Sequence, residues 1–284
     1  MIPVAFDYLK PSTVEDAVAA LADAGDEAKV IAGGQSLLPV LRLRLAAPSL
    51  LVDLGGLDQL RGIRVDGDEV VVGAMTTHAE LVASAVAQAE VPLLAAAASV
   101  IGDRQVRHRG TFGGALAHAD PAGDLPTVAV ALDATMVVAG PDGRRNVPAS
   151  EFFVDYFTTA LGPRDVLVEA RLPRLSGWGM RYEKFNRTAQ AWATVGVAAT
   201  VQRSNGSISA ARVALTNMGP VPVRASAVEA ALAGADASES AIEAAAAQAV
   251  EGTSPASDLA ASAEYRAHLV TVLTRRAVTI AAGL

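Results

Sequence analysis

The chain has no cysteine in its 284 residues. Disulfides, iron–sulfur ligation and thiolate zinc sites are therefore excluded from it. Aromatic residues are also scarce, at 4%, although hydrophobic residues make up 51%. Much of that apolar share is alanine, so the core is expected from close helix-on-sheet packing with few aromatic anchors. Long apolar runs are missing. The longest, 93–100 and 244–250, fall well short of the roughly 20 residues that span a bilayer. The start, Met1 to Asp7, has neither a basic nor an apolar signal region, and a cytoplasmic protein is expected. Concentrated positive charge is lacking as well: the net charge is −7 and the 23 basic residues are scattered, which argues against nucleic acid as partner. No G-x-x-x-x-G-K-[ST] occurs, and no G-x-G-x-x-G opens a helix, so P-loop and Rossmann nucleotide sites are unsupported.

What is present suggests two domains, 1–175 and 176–284, with turn residues clustered at Leu175-Ser176-Gly177. A capping box at Ser12–Glu15 opens a helix with Val14, Ala17, Val18 and Leu21 on one face, closed by Gly25. Strands are expected near 29–32, 50–54, 70–72, 135–139 and 166–172. Thr77 and Glu80 start a helix through Ala89, and Pro92 starts another to about Val100. Residues 101–126 hold charge, glycine and proline without periodicity and read as irregular. Beyond the boundary, strands at 193–201 and 208–215 flank Asn205-Gly206, a strong hairpin signal, and alanine-rich helix follows from about Arg224, interrupted at 252–257. Strands and helices mix without steady alternation, so the fold class is α+β.

Two glycine-rich stretches carry the chemistry. In Ala32-Gly33-Gly34-Gln35-Ser36-Leu37, a strand breaks into paired glycines, where successive N–H groups can form an anion nest. The second runs from Arg107 to Asp124 and includes Gly110, Thr111, Gly113 and Gly114. Asp124 could accept hydrogen bonds from ribose or ribityl hydroxyls. Two separated nests suit a long ligand with a central diphosphate, the shape of FAD.

Ala32-Gly33-Gly34-Gln35-Ser36-Leu37-Leu38-Pro39 and Arg109-Gly110-Thr111-Phe112-Gly113-Gly114, followed by Ala119-Asp120-Pro121 and Asp124-Leu125-Pro126, resemble the flavin loops of the medium subunit of CO dehydrogenase, xanthine dehydrogenase and related molybdenum hydroxylases. The resemblance covers nearly the whole chain, from Phe6-Asp7-Tyr8 to a C-terminal domain opening at Tyr182-Glu183-Lys184. It implies a vanillyl-alcohol-oxidase (PCMH)-type FAD domain of two subdomains, then a smaller α+β domain. It also implies that Lys29, Val30, Ile31, Ala32, Gly33, Gly34, Gln35, Ser36 and Leu37, with Gly110, Thr111, Gly113, Gly114 and Ala115, hold the diphosphate and nearby parts of FAD. Ile101, Asp124, Leu167 and Lys184 match further flavin-contacting positions, and Trp192 falls where relatives place a residue against the ring. A solvated surface lysine and a core tryptophan are the plain alternatives for Lys184 and Trp192. Two departures stand out: Ala191 where many relatives carry aspartate, and Gln35 where histidine is common.

By the same resemblance, substrate reacts at a molybdopterin centre on a large subunit, and electrons pass through two 2Fe–2S clusters on a small subunit to FAD and on to an external acceptor. Dimers of three-subunit units are implied. No catalytic acid–base pair and no metal site are expected in this chain. Three rivals stay open at this level: a metal site built from His108, His118, Asp120 and Asp124, a standalone FAD-dependent oxidoreductase with its own substrate, and a scaffold whose loops merely turn.

Overall fold

A computed structural model describes all residues, 1 to 284. The first lobe comprises β1 (Asp7–Leu9), α1 (Val14–Ala24), β2 (Ala28–Ile31), α2 (Leu37–Arg42) and β3 (Leu50–Asp53). Its strands form a parallel sheet in the order β1-β3-β2. α1 buries Val14, Ala17, Val18 and Leu21 and ends at Gly25, where φ is 61°. The cap expected at Ser12 belongs to Thr13: its backbone is extended, and its hydroxyl accepts from Asp16 N at 3.0 Å.

The second lobe begins with the hairpin β4 (Ile63–Asp66) and β5 (Glu69–Gly73). Then come α3 (His78–Ala83), α4 (Ala85–Glu90), α5 (Pro92–Ser99), α6 (Arg104–Arg109), α7 (Phe112–His118) and α8 (Asp124–Ala131). β6 (Thr135–Gly140), β7 (Gly143–Pro148), α9 (Ala149–Phe152), β8 (Phe153–Asp155), β9 (Thr158–Thr159) and β10 (Val166–Pro173) complete it. The five-stranded antiparallel sheet runs β4-β5-β10-β6-β7. The capping box at Thr77 and Glu80 is present. The single helix expected after it divides at Ser84, which is extended and turns its hydroxyl to Ala87 N, capping a second helix instead.

The stretch 101–126, expected to be irregular, is mostly helical. α6 and α7 are too short to show a period, yet each has its own N-cap: Asp103 Oδ1 accepts from Val106 N at 2.8 Å and Thr111 Oγ1 from Gly114 N at 3.2 Å. β7 escaped the strand expectations because its side chains are largely exposed and polar, and β4 because its alternation, Ile63-Arg64-Val65-Asp66, lasts only four residues and buries none of them.

The third layer is β11 (Gly179–Phe185), β12 (Val195–Ser204), β13 (Ser207–Thr216) and β14 (Val223–Arg224), followed by α10 (Ser226–Leu232), α11 (Glu239–Ala246) and α12 (Ala263–Ala281). Asn205 and Gly206, at φ 51° and 83°, make the expected tight hairpin between β12 and β13. Both faces of this sheet are covered. Val195, Val197, Ala199 and Val201 pack on the C-terminal helices, while Ala198 and Ala214 join the core of the second lobe. There they meet α8, which is buried along its whole length. Small alanine side chains on both partners let helix and sheet approach closely. No helix is long and apolar enough to cross a membrane.

The placement of the first cap is testable by urea unfolding. Thr13→Ala is expected to cost about 1 kcal/mol, whereas Ser12→Ala should stay within about 0.5 kcal/mol of the parent. Equal losses would return the cap to Ser12.

Candidate functional site

Because β1, β2 and β3 are parallel, their carboxyl ends open at one edge, where α/β folds hold ligands. Lys10 follows β1, Ala32 and Gly33 follow β2, and Asp53 and Gly55 end β3. Together they wall a polar cavity of about 260 Å³. The opposite wall is the α6–α7 junction, with His108, Arg109 and Thr111, and Arg61, Met75 and Thr77 complete the lining.

The first glycine stretch behaves as an anion nest should. None of the backbone N–H groups from Ala32 to Leu37 donates to a protein acceptor. Gly34 takes φ 75°, which favours glycine. Gly33 is needed for a different reason than room for a ligand. A Cβ there would run into the Arg109 carbonyl and come within 2.8 Å of Gly110 Cα, so it is protein backbone that approaches.

The second stretch differs from the open nest expected of it. Phe112 N donates to Thr76 O at 2.8 Å, Gly113 N to Ala74 O at 2.8 Å, and Ala115 N to Thr111 O at 3.0 Å. With Gly114 N on Thr111 Oγ1, the first turn of α7 is satisfied by protein. Among these residues, only the Thr111 N–H has no acceptor. Glycine is again required by packing: a Cβ at Gly113 would sit 2.7 Å from Ala74 Cα, and one at Gly110 would sit 2.8 Å from His78 Cδ2.

A second cluster lies between α8 and the C-terminal sheet. Lys184 Nζ donates to Asp124 Oδ2 at 2.9 Å and to Val100 O at 3.1 Å. The two side chains are 5% and 3% exposed, so Lys184 is not the solvated surface lysine that was its alternative. Tyr182 donates to Asp124 Oδ1 at 2.6 Å and lies 3.2 Å from Thr216 Oγ1, which donates to Thr127 Oγ1 at 2.8 Å. Burial pushes the Asp124 carboxyl up against the opposing pull of Lys184, and burial beside Asp124 raises the Tyr182 hydroxyl well above its ordinary value.

The residues singled out from sequence thus fall into separate groups. Ala32, Gly33 and Thr111 line the cavity, with Lys29 to Ile31 leading in along β2 and Gly34 to Leu37 following. Gly110, Gly113, Gly114 and Ala115 back the opposite wall. Asp124 and Lys184 meet directly, with Ile101 next to the carbonyl that Lys184 holds. Leu167 is buried in the core with Phe112, while Trp192 is 57% exposed between β11 and β12, so it is not a core tryptophan. His108, His118, Asp120 and Asp124 do not assemble a metal-binding donor set; His118 and Asp120 alone approach, at 3.8 Å. Lys10, Asp53 and Arg61 were not anticipated. Gly55-Gly56, one residue beyond β3, repeats the strand-then-glycines signature of β2 and could have pointed to them.

Three parallel-strand termini and a helix junction thus close on a cavity lined by Lys10, Arg61 and Arg109. Residues 4–175 match the family described as FAD binding domain in molybdopterin dehydrogenase, and residues 180–281 match the CO dehydrogenase flavoprotein C-terminal domain. The carbon monoxide dehydrogenase medium chain of Hydrogenophaga pseudoflava is 43% identical over 99% of this chain and 98% of its own. The 6-hydroxypseudooxynicotine dehydrogenase complex subunit alpha of Paenarthrobacter nicotinovorans is 39% identical over 97% and 94%. In the solved carbon monoxide dehydrogenase from Hydrogenophaga pseudoflava that lacks the Mo-pyranopterin moiety, the similar chain superposes with a TM-score of 0.97 at 45% identity, covering 99% of this chain and 98% of that one. The chain belongs to the FAD-binding medium subunits of the molybdenum hydroxylases and is a component of an oxidoreductase.

Two measurements probe the site's framework. His78 packs on Gly110, and burial, helped by Arg107, lowers its pKa from 6.5 to about 4. Above pH 6.5 the ring is neutral in both folded and unfolded chain; as pH falls toward 4, only the unfolded chain takes the proton. Stability should therefore drop across that window by up to about 3 kcal/mol, and His78→Gln should flatten the urea midpoint against pH. An unchanged slope in the variant would assign the effect elsewhere. For the buried pair, Lys184→Met leaves Asp124 uncompensated and is expected to cost about 3–5 kcal/mol. Asp124→Leu/Lys184→Met should cost less than the two single losses added. A fully stable Lys184→Met chain would mean that the pair is not buried.

Proposed function

We propose that this chain is the FAD station of a molybdenum-containing hydroxylase, receiving electrons from 2Fe–2S clusters on a small partner subunit and passing them to an external acceptor. Substrate oxidation would take place on a large molybdopterin subunit, within a dimer of heterotrimers. The single observation that carries this reading is the run of N–H groups from Ala32 to Leu37 without protein acceptors, beside a cavity edged by Lys10, Arg61 and Arg109. Such donors fit a diphosphate, and its negative charge finds them already oriented.

When bound, FAD supplies one- and two-electron chemistry that no side chain offers. The chain's part is placement. The amides of 32–37 and of Thr111 bind the diphosphate, and the backbone contact of Gly33 with Arg109 and Gly110 fixes the distance between the two walls. Ile101, Asp124, Leu167, Lys184 and Trp192 are assigned to the rest of the cofactor. Asp124 and Val100 fix the position of the Lys184 ammonium, and Tyr182 holds the carboxylate from its other side. Residues 1–175 serve as the flavin unit and 176–284 as the unit that supplies Tyr182, Lys184 and Trp192. The two relatives act on different substrates by name, which accords with substrate choice residing in a partner subunit.

Visible absorption of the purified full chain, with released cofactor identified, tests the reading. A flavin spectrum is expected, lost in Gly33→Val because the added side chain drives the two walls apart. Candidate substrates should bleach it only with the partner subunits present. A folded chain that takes up no FAD, alone or with partners, would overturn it.

A further inference from the structure

The charged groups around the cavity are not equivalent. Arg61 is already engaged, with Nε 3.9 Å from Asp58 Oδ1 and Nη2 donating to Gly55 O at 3.4 Å. Asp53, the one carboxylate in the lining, has both oxygens occupied: Oδ1 accepts from Gly55 N at 2.7 Å and Oδ2 from the Tyr8 hydroxyl. Lys10 and Arg109 have neither a carboxylate partner nor a side-chain hydrogen bond. They stand on opposite walls, Lys10 after β1 and Arg109 at the end of α6.

The seat of Lys10 is built into the fold. Its stem crosses Gly56, where a Cβ would come 2.5 Å from Cε and 3.5 Å from Nζ. Glycine at 56 thus leaves room for the lysine to lie across the turn toward the cavity. The chain as a whole carries a net charge of −7, so three cations around one engaged carboxylate form a local exception. That imbalance matches a dianionic group.

We infer that Lys10 and Arg109 are side-chain anchors for a diphosphate, gripping from two walls the group that the 32–37 amides hold by hydrogen bonds. The inference rests on the proposed cofactor reading and adds two residues to it, Lys10 lying outside both glycine stretches. It names the ligand class as a nucleotide diphosphate, with ADP and inorganic pyrophosphate sharing the chemistry that the cavity recognises. Neutral amides alone would bind with little dependence on ionic strength. Free cations add an attraction that salt screens.

The test uses the full chain stripped of cofactor, titrated with FAD at low and high sodium chloride, with inorganic pyrophosphate as competitor. Lys10→Gln and Arg109→Gln are each expected to raise the FAD Kd by about tenfold, the loss of one charge-assisted contact. Each should also flatten the salt dependence and weaken pyrophosphate competition in parallel. Thermal melting should stay unchanged, because neither side chain has a protein partner to lose. FAD Kd values and salt dependence like the parent's in both variants would overturn the inference while leaving the flavin reading intact. If the parent binds no FAD, the flavin reading falls. Pyrophosphate binding that the parent shows and both variants lose would then still support the anion site.

Discussion

The arrangement of this chain depends on backbone meeting backbone where side chains are absent. Gly33 rests against the carbonyl of Arg109, which brings two lobes with separate sheets together at the one edge where strand ends face a helix junction, and Gly113 rests against Ala74, which seats that junction within the second lobe. Neither contact is strong in itself. Each is unforgiving, because a single added methyl would have to displace main chain rather than the end of a flexible side chain. The approach of the two walls at Gly33 is thereby limited by main-chain van der Waals contact.

From that constraint follows a division of labour among polar groups. Amides at the start of α7 are spent on the strand-to-helix connection at 74–76, and they stabilise the wall. Amides of 32–37 have no such task, and Ala32 and Gly33 at the start of the stretch line the cavity. The same division appears among the charges. Asp53 organises its own turn, Asp124 and Lys184 neutralise one another in the interior, and Lys10 and Arg109 are left over. A buried pair such as Asp124–Lys184 gives little net stability but punishes the loss of either member, which ties the α8 surface to the C-terminal sheet with high specificity.

Much of this could be read from the residues, and the rest could not for physical reasons. Local signals held where the determinant is local: the Thr77–Glu80 box, the Asn205-Gly206 hairpin, the strand running into Gly33-Gly34. The residues of the second glycine stretch were found, but its helices were not, since helices of six or seven residues leave no period, and the packing demand on Gly110 and Gly113 comes from His78 and Ala74, distant in sequence. Lys10 and Arg61 were invisible because their importance comes from three strand ends converging, a relation no stretch of sequence contains. The family's fold and cofactor were legible through the paired motifs, while the split of the long helix at Ser84 depended on a hydroxyl choosing a different amide.

The four-stranded sheet, apolar on both faces, has a consequence for how such subunits can be altered. One face is covered by its own C-terminal helices and the other by α8, which has no solvent-facing side. A fragment ending near residue 175 would uncover α8, and the remainder would uncover Ala198 and Ala214, so both halves would present sticky surfaces. Exchange of the C-terminal unit between relatives, by recombination or in the laboratory, would therefore succeed only when α8 and its facing strands travel as a matched set. The boundary along the sequence is thus a poor guide to where the molecule can be cut.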